Sequence, residues 1–182
     1  TWKNAGNVFD LKSNLTGSYN LPNFLAAIAV GLHFGANPRK INDALTSYTP
    51  TNKRSQIEKT KRNTLVVDAY NANPSSMKLA IENFAKLKSD KKVLVLGDML
   101  ELGADSAKEH EIVLKQALHE GFWLNVFIGK EFGRYSDLYE NALFFSHVDE
   151  AKAYFETANI VDGLILIKGS RGIRCENVIP AL

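Results

Sequence analysis

The feature that most constrains the fold is the alternation of short apolar runs with amphipathic stretches after residue 52. Runs such as KVLVLG (92–97) and GLILIKG (163–169) have the length and composition of buried strands. The stretches 74–88 and 105–120 between them have the pattern of helices. Strands that alternate with helices build a mostly parallel sheet with helices on both faces, so we predict the α/β class.

The remaining elements of this region follow from the same patterns. SQIEKT and TLVVDAY flank the turn KRN and predict a β-hairpin ahead of the first helix. Two further strands are expected at NVFIG (125–129) and ALFFS (142–146). Helices are expected at 149–158 and after Arg174.

The first fifty residues have a different pattern. NVFDLK (7–12) suggests a short strand, and YNLPNFLAAIAVGLHFG suggests about four turns of helix that end at Gly35. RKINDALTSY, opened by Asn37 and Pro38, predicts a second helix. Apolar residues surround the first helix almost completely, so it belongs inside a larger layered structure than this segment can supply.

A polar connector, TPTNKRSQ, separates the two patterns and has no hydrophobic periodicity. We therefore expect a domain boundary near Asn52, which divides the chain into residues 1–52 and 53–182. The chain starts at Thr1 without an initiator methionine, which suggests a processed or truncated protein.

One strand-to-helix joint, in VVDAYNANPSSM, has far more hydrogen-bonding groups than a turn needs. Asn73 in front of Pro74 is a good N-cap, and capping requires only one such residue. Asp68 ends the strand, where open α/β sheets bind ligands, and Asn71 supplies a donor and an acceptor beside it. A cap plus a turn explains these residues about as well as a ligand site does.

Two other predicted strand ends carry unusual residues, and all three ends should meet at one edge of the sheet. In LGDMLELG, Asp98 and Glu101 could orient an amine or could simply solvate a loop. In IKGSRG, Lys168, Ser170 and Arg171 are typical of an anion-binding turn or of a basic surface turn.

Composition excludes several classes of function. A net charge of +2, with basic clusters that lack interleaved aromatic residues, argues against nucleic acid as a partner. No apolar run is long enough to span a membrane and no signal pattern opens the chain, so we expect no membrane partner and a cytoplasmic location. The four histidines show no metal-binding spacing, so no metal site is predicted, and the single Cys175 is interpreted as a plain thiol.

Taken together, the blocks GSYNLPNFLAAIAVG, VVDAYNANPSSM, VLGDMLELG and LIKGSRGIRCE resemble the ordered signature blocks of the Mur ligases. The resemblance is greatest to the members that add D-alanyl-D-alanine to UDP-N-acetylmuramoyl-tripeptide. It covers essentially the whole chain. It implies the end of a central ATPase domain at 1–52, followed by a Rossmann-like C-terminal domain at 53–182.

The same resemblance implies an ATP-dependent, ADP-forming ligase of bacterial peptidoglycan precursor synthesis. An acyl phosphate of the tripeptide would be attacked by the dipeptide amine. The chain has no G-x-x-x-x-G-K-[ST], so the P-loop, the Mg²⁺ ligands, the catalytic residues and the UDP-binding domain are expected upstream, and this chain alone should be inactive. A folylpolyglutamate-synthase-like ligase, a non-catalytic nucleotide-binding module and a purely structural interaction domain are the alternatives.

The resemblance also implies roles for individual residues. ATP would lie between the two domains, with Asp68 accepting from the ribose hydroxyls and Arg54 in the linker reaching the phosphates. The loops around Asp98 and Lys168 would receive the incoming dipeptide, with Lys168 or Arg171 binding its carboxylate. The complete expected sets are Asn20, Asn23, Arg54, Asp68, Tyr70 and Asn71 for the nucleotide, and Asp98, Glu101, Lys168, Ser170 and Arg171 for the substrate. In the family pattern that Asn20 and Asn23 match, Tyr19 replaces the usual histidine.

Overall fold

A six-stranded sheet organises most of the protein. The computed structural model describes residues 1–15, 20–49 and 56–182. The strand order is β3-β4-β8-β5-β6-β7, and only the edge strand β3 runs antiparallel to its neighbour. These strands are β3 (Gln56–Lys59), β4 (Thr64–Asp68), β5 (Lys92–Gly97), β6 (Leu124–Ile128), β7 (Leu143–Phe145) and β8 (Leu164–Lys168).

Helices cover both faces of this sheet, which confirms the predicted α/β class. The α-helices after β3 are α3 (Pro74–Lys86), α4 (Ser106–His119), α5 (Lys130–Gly133) and α6 (Val148–Ala158). Alternate strand residues point to opposite faces, so β5 places Val93 and Val95 in one core and Leu94 and Leu96 in the other. The first core lies under α6 and the C-terminal turns, and the second under α3 and α4.

We call residues 1–15 and 20–49 the front segment, and residues 56–182 the α/β domain. The front segment contains an antiparallel hairpin and two helices: β1 (Trp2–Asn4), β2 (Asn7–Phe9), α1 (Leu21–His33) and α2 (Pro38–Ser47). Its buried core is small and consists of Trp2, Ile28 and Ile41. The indole N–H of Trp2 donates to the Asn42 side chain at 3.0 Å and ties the hairpin to α2.

Helix α1 exposes much of its apolar surface. Among its 13 residues only Ile28 is buried. Leu21, Leu25 and Val30 are each more than half exposed. Helix α1, whose sequence has apolar residues on almost all sides, is therefore covered on one side only in this chain.

Several local predictions need correction. The predicted terminal helix is a 3₁₀ helix, Cys175–Ala181, and the ring of Pro180 inside it would clash with the carbonyl four residues earlier in an α-helix. The sequence patterns missed the first hairpin strand and the short helix α5. The predicted boundary near Asn52 lies outside the described residues. None of the helices in the described ranges is long and apolar enough to cross a bilayer.

Candidate functional site

The carboxyl ends of β4, β8 and β5 lie side by side, as the sequence predicted. Strand β8 is central, and its last residue, Lys168, is paired in register with Asp68 of β4 and with Leu96 of β5. All three polar loops therefore begin at one edge of the sheet. Such an edge is where open α/β sheets bind ligands, so these loops form the candidate site.

The loop after β4 leads directly into α3. Asn73 is the N-cap of that helix: its side chain accepts from the Ser76 N–H at 2.9 Å, and the Ser76 hydroxyl accepts in return from the Asn73 N–H at 3.1 Å. Capping is thus complete without Asp68, Tyr70 or Asn71. The side-chain oxygen of Asn71 accepts from the Ala72 N–H at 2.9 Å, which leaves its amide group as a donor.

Asp68 and Lys168 form a close ion pair across β4 and β8. The Lys168 ammonium donates to Oδ2 of Asp68 at 2.6 Å and to the backbone oxygen of Asn71 at 3.2 Å. The side chain of Lys168 is 2% exposed and that of Asp68 is 13% exposed. Lys168, which the resemblance gave as one of two candidates for the dipeptide carboxylate, is therefore buried and paired with Asp68.

Ser170 also points into the protein. Its hydroxyl accepts from the Leu100 N–H at 2.9 Å and lies 3.5 Å from the Ala72 carbonyl, to which it donates. Its own backbone N–H donates to the Asp98 carbonyl at 3.2 Å. The expected anion-binding turn is therefore used to join the three strand-end loops, and the serine is 4% exposed.

Arg171 is the cation of this motif that faces solvent. Its guanidinium carbon lies 5.3 Å from the centre of the Tyr70 ring, within the range of a cation–π interaction. Both residues are exposed. The loops after β4 and β8 therefore meet at the surface as well as in the interior, and Arg171 keeps donors that a ligand can reach.

Asp98 has a different environment from the one expected of a substrate carboxylate. It is 3% exposed, and its two oxygens accept from the backbone N–H groups of Glu131 and Phe132 at 2.9 and 3.0 Å. Burial raises the pKa of Asp98, while those two backbone donors act in the opposite direction. The carboxylate therefore binds the backbone at the start of α5 in this structure.

His110 is a site-supporting residue that the sequence reasoning missed. It is fully buried on α4, and its Nε2 accepts from the Met99 N–H at 2.9 Å. Because Nε2 is an acceptor, the proton lies on Nδ1, which is 2.7 Å from the Ser106 carbonyl. His110 thus holds the loop after β5 in place by accepting from the Met99 N–H. A histidine on the apolar face of a predicted helix was the available signal.

Gly97 and Gly169 allow the ends of β5 and β8 to pack closely against Cys175. A side chain at Gly97 would overlap the Cys175 sulfur and Ile173, and one at Gly169 would lie 3.1 Å from the Gly97 Cα. Burial raises the pKa of the Cys175 thiol far above its usual value. This cysteine is therefore a packing residue, which agrees with its interpretation as a plain thiol.

The other predicted residues lie apart from this cluster. Glu101 is exposed, with a positive φ of 68° in the loop after β5. Asn20 and Asn23 belong to the front segment, where the Asn23 amide donates to Asn20 at 3.2 Å. Arg54 and Tyr19 lie outside the described residues. Within the described ranges, no group of three or more histidine, cysteine or acidic side chains is arranged to hold a metal ion.

A separate cavity of about 540 Å³ opens at the opposite edge, where β4 and β8 begin. It joins two basic clusters that are distant in sequence, because Lys59, Lys61 and Arg62 line it together with Lys88. Arg62 is engaged there by the Ala181 carbonyl at 2.6 Å. The cavity has no contact with the strand-end loops, so we keep it separate from the candidate site.

Residues 53–171 match the family model described as Mur ligase, glutamate ligase domain. The chain belongs to the Mur ligase family. This Mur ligase chain is 33% identical to the UDP-N-acetylmuramoyl-tripeptide–D-alanyl-D-alanine ligase of Bacillus subtilis over 177 residues, which cover 92% of the chain and 38% of that relative. The chain therefore spans less than half the length of the curated relatives it matches.

Solved structures agree with this assignment. A crystal structure of MurF from Acinetobacter baumannii superimposes with a TM-score of 0.80 at 25% identity, covering 93% of this Mur ligase chain and 39% of the other. MurF from Thermotoga maritima in complex with ADP has the same fold, with a TM-score of 0.75 at 22% identity over 92% of this chain and 38% of that one.

Proposed function

We propose that this chain is part of an ATP-dependent ligase that adds D-alanyl-D-alanine to UDP-N-acetylmuramoyl-tripeptide in the bacterial cytoplasm. The observation that carries the proposal is the meeting of three polar strand ends, β4, β8 and β5, at one edge of the sheet. The motifs at these ends are those that resemble the dipeptide-adding Mur ligases. The 33% identity with the B. subtilis enzyme along most of the chain supports the same substrates.

The reaction requires two chemical steps. The tripeptide carboxylate takes the γ-phosphoryl group of ATP and releases ADP; the dipeptide amine then attacks the resulting acyl phosphate and releases phosphate. Mg²⁺ would neutralise charge on the transferring phosphoryl group, and the described residues offer no cluster for it. The resemblance and the missing G-x-x-x-x-G-K-[ST] motif are our grounds for proposing that Mg²⁺ binding and the phosphoryl step belong to domains upstream of this chain. This chain contributes binding and orientation.

For the nucleotide, the residues of the β4 loop have suitable chemistry. The Asp68 side chain is 13% exposed and its carboxylate has the acceptor oxygens that ribose hydroxyls need, and the Asn71 amide can donate beside it. Tyr70 offers an exposed aromatic ring at the same corner. Asn20, Asn23 and Arg54 remain proposed nucleotide contacts from the resemblance alone.

For the dipeptide carboxylate, Arg171 is the better of the two cations that the sequence suggested. It is exposed, while Lys168 is buried against Asp68. A guanidinium also binds a carboxylate through two parallel hydrogen bonds. Glu101, exposed at the same edge, remains a proposed contact for the dipeptide amine, and Asp98 and Ser170 support the loops from inside.

The test uses the full-length protein that carries this chain. ADP release should require both the UDP-sugar tripeptide and D-alanyl-D-alanine. Arg171→Gln should raise the KM for the dipeptide about tenfold or more, because a charge-assisted hydrogen bond is lost, and should leave the KM for ATP nearly unchanged. Arg134→Gln, which removes an exposed guanidinium just after α5, is the matched control. Equal effects of Arg171→Gln on both KM values would contradict the dipeptide assignment.

The alternatives give different outcomes in the same assay. A non-catalytic nucleotide-binding module would bind ATP in a calorimetric titration and ignore the dipeptide, and a purely structural domain would bind neither. A folylpolyglutamate-synthase-like ligase would release ADP with a folate and glutamate instead of the UDP-sugar and dipeptide. The curated relatives that match most of the chain favour the dipeptide reaction.

A further inference from the structure

The Asp68–Lys168 pair joins two residues to which the sequence assigned different substrates. Asp68 was expected on the nucleotide side and Lys168 on the dipeptide side, yet their charged atoms are 2.6 Å apart. Lys168 is 2% exposed, so its ammonium cannot meet a carboxylate in the open cleft. An ion pair of this kind can be worth little for stability, because burying two charges costs about as much as the pair regains. Stability therefore does not explain the pair, and the fixed orientation of the Asp68 carboxylate is the property to be explained.

We propose that Lys168 is a positioning residue for the nucleotide: it holds the Asp68 carboxylate in the orientation in which that carboxylate accepts from ribose. This inference rests on the proposed function. The parallel register places Asp68 and Lys168 opposite one another at the ends of β4 and β8. One donor of the ammonium binds Oδ2 of Asp68 and a second binds the backbone oxygen of Asn71. Lys168 thereby fixes the carboxylate and the loop that follows it together.

The basic motif is therefore divided between two substrates. Lys168 points into the protein towards β4, Ser170 joins the loops beneath the surface, and Arg171 points outward over Tyr70. Lys168 is buried against Asp68 and Arg171 lies exposed over Tyr70, so the two cations can serve different ligands. A loss of Lys168 should consequently impair ATP use, while a loss of Arg171 should impair dipeptide use.

The deciding experiment compares ATP with 2′,3′-dideoxy-ATP, which lacks both ribose hydroxyls. In the full-length protein the wild type should prefer ATP about tenfold or more in kcat/KM, since a charge-assisted hydrogen bond depends on those hydroxyls. Lys168→Met should reduce that preference to about twofold and leave the dipeptide KM within about twofold of wild type, because the misoriented carboxylate no longer recognises ribose. Lys168→Arg, which keeps the charge, should restore part of the preference.

The preference is a ratio within one preparation, so a lower fraction of folded protein does not alter it. If Lys168→Met does not fold, Lys168→Gln, which keeps one donor for Asp68, should show a smaller reduction of the same ratio. A wild-type ratio in the folded variant, or a rise in the dipeptide KM as large as that in the ATP KM, would overturn the inference.

Failure of the proposed function has its own signature. The wild-type protein would then show no ADP release that depends on tripeptide and dipeptide. In that case the two nucleotides are compared by displacement of a fluorescent ATP analogue from the wild type and from Lys168→Met. A preference for ATP that disappears in the variant supports the positioning role independently of the ligase reaction, and a preference that persists contradicts it.

Discussion

Helices α1 and α3 have the same length, 13 residues, and both carry proline in their first turn, yet they are buried very differently. Helix α3 buries Met77, Ala80, Ile81 and Phe84 against the sheet. Helix α1 buries only Ile28 and leaves several apolar residues in solvent. The difference shows that an apolar helix is only as buried as the layer beside it, and the front segment offers a two-stranded hairpin where the α/β domain offers six strands.

The same contrast explains where the chemistry is fixed. In the α/β domain, the sheet holds three strand ends in register, so Lys168, Ser170 and Asp98 can each connect one loop to another. In the front segment, the Asn23 amide donates to Asn20 three residues earlier, and the Trp2 indole joins the hairpin to Asn42 of α2.

The largest expected effect concerns the core of the α/β domain. Phe155 is fully buried between α6 and the sheet, so Phe155→Ala should lower the free energy of unfolding of this domain by about 3–5 kcal/mol. Ile28→Ala should leave the unfolding of the α/β domain unchanged. Urea titration followed by circular dichroism measures both, with Leu79→Ala on the exposed side of α3 as the control. Equal losses from Phe155→Ala and Ile28→Ala would remove the contrast between the two regions.

Rates of thiol labelling should show how much more easily the front segment opens than the α/β domain. Cys175 is fully buried, so it should react only when the α/β domain opens and exposes the thiol. A cysteine introduced by Ile28→Cys in the Cys175→Ala background should react about tenfold faster or more, because the small core of the front segment opens at lower cost.

Hydrogen exchange on the unmodified chain provides the control for that labelling. Amides of α1 should exchange faster than those of β5, which is buried at the centre of the sheet. Uniform protection from one end of the described chain to the other would show that the front segment is as stable as the α/β domain.

A smaller effect concerns the pH dependence that Asp98 contributes. Burial raises its pKa in the folded state, so the folded protein holds this proton more tightly than the unfolded chain does. The stabilising contribution is therefore complete at pH values below the unfolded pKa and is lost as the pH rises through the folded pKa. The free energy of unfolding of the wild type, minus that of Asp98→Ala, should fall as the pH is raised from 4. A difference that increases over that range would contradict the assignment.

The smallest effect is expected at the exposed surface of α1. Leu25 and Phe34 are 53% and 81% exposed, so replacing both with serine should change the stability of the chain by less than about 0.5 kcal/mol. The same change should weaken self-association of the chain, since it removes apolar surface from solvent. Analytical ultracentrifugation at several concentrations measures this, with Leu138→Ser, at another exposed position, as the matched control.

Local sequence patterns were sufficient to predict most elements of the α/β domain and the edge at which its polar loops meet. Periodicity of two or of 3.6 residues is local, and the strand KVLVLG was predicted with the bounds that the structure has. Asn73 and Pro74 likewise mark the start of α3 through contacts within one turn. The carboxyl ends of neighbouring parallel strands had to lie at one edge once the helices between them were recognised.

The directions in which the polar residues of those loops point depend instead on contacts between distant parts of the chain. Asp68 and Lys168 are 100 residues apart, and Asp98 and Phe132 are 34 apart, so no local pattern could indicate that they bond to each other. Whether a charged residue faces a cleft or the interior depends on the partners that packing brings to it, because a buried charge needs compensation by an opposite charge or by backbone donors. Asp68 compensates Lys168, and backbone donors of α5 compensate Asp98, so both residues are buried, whereas Arg171 lies in solvent.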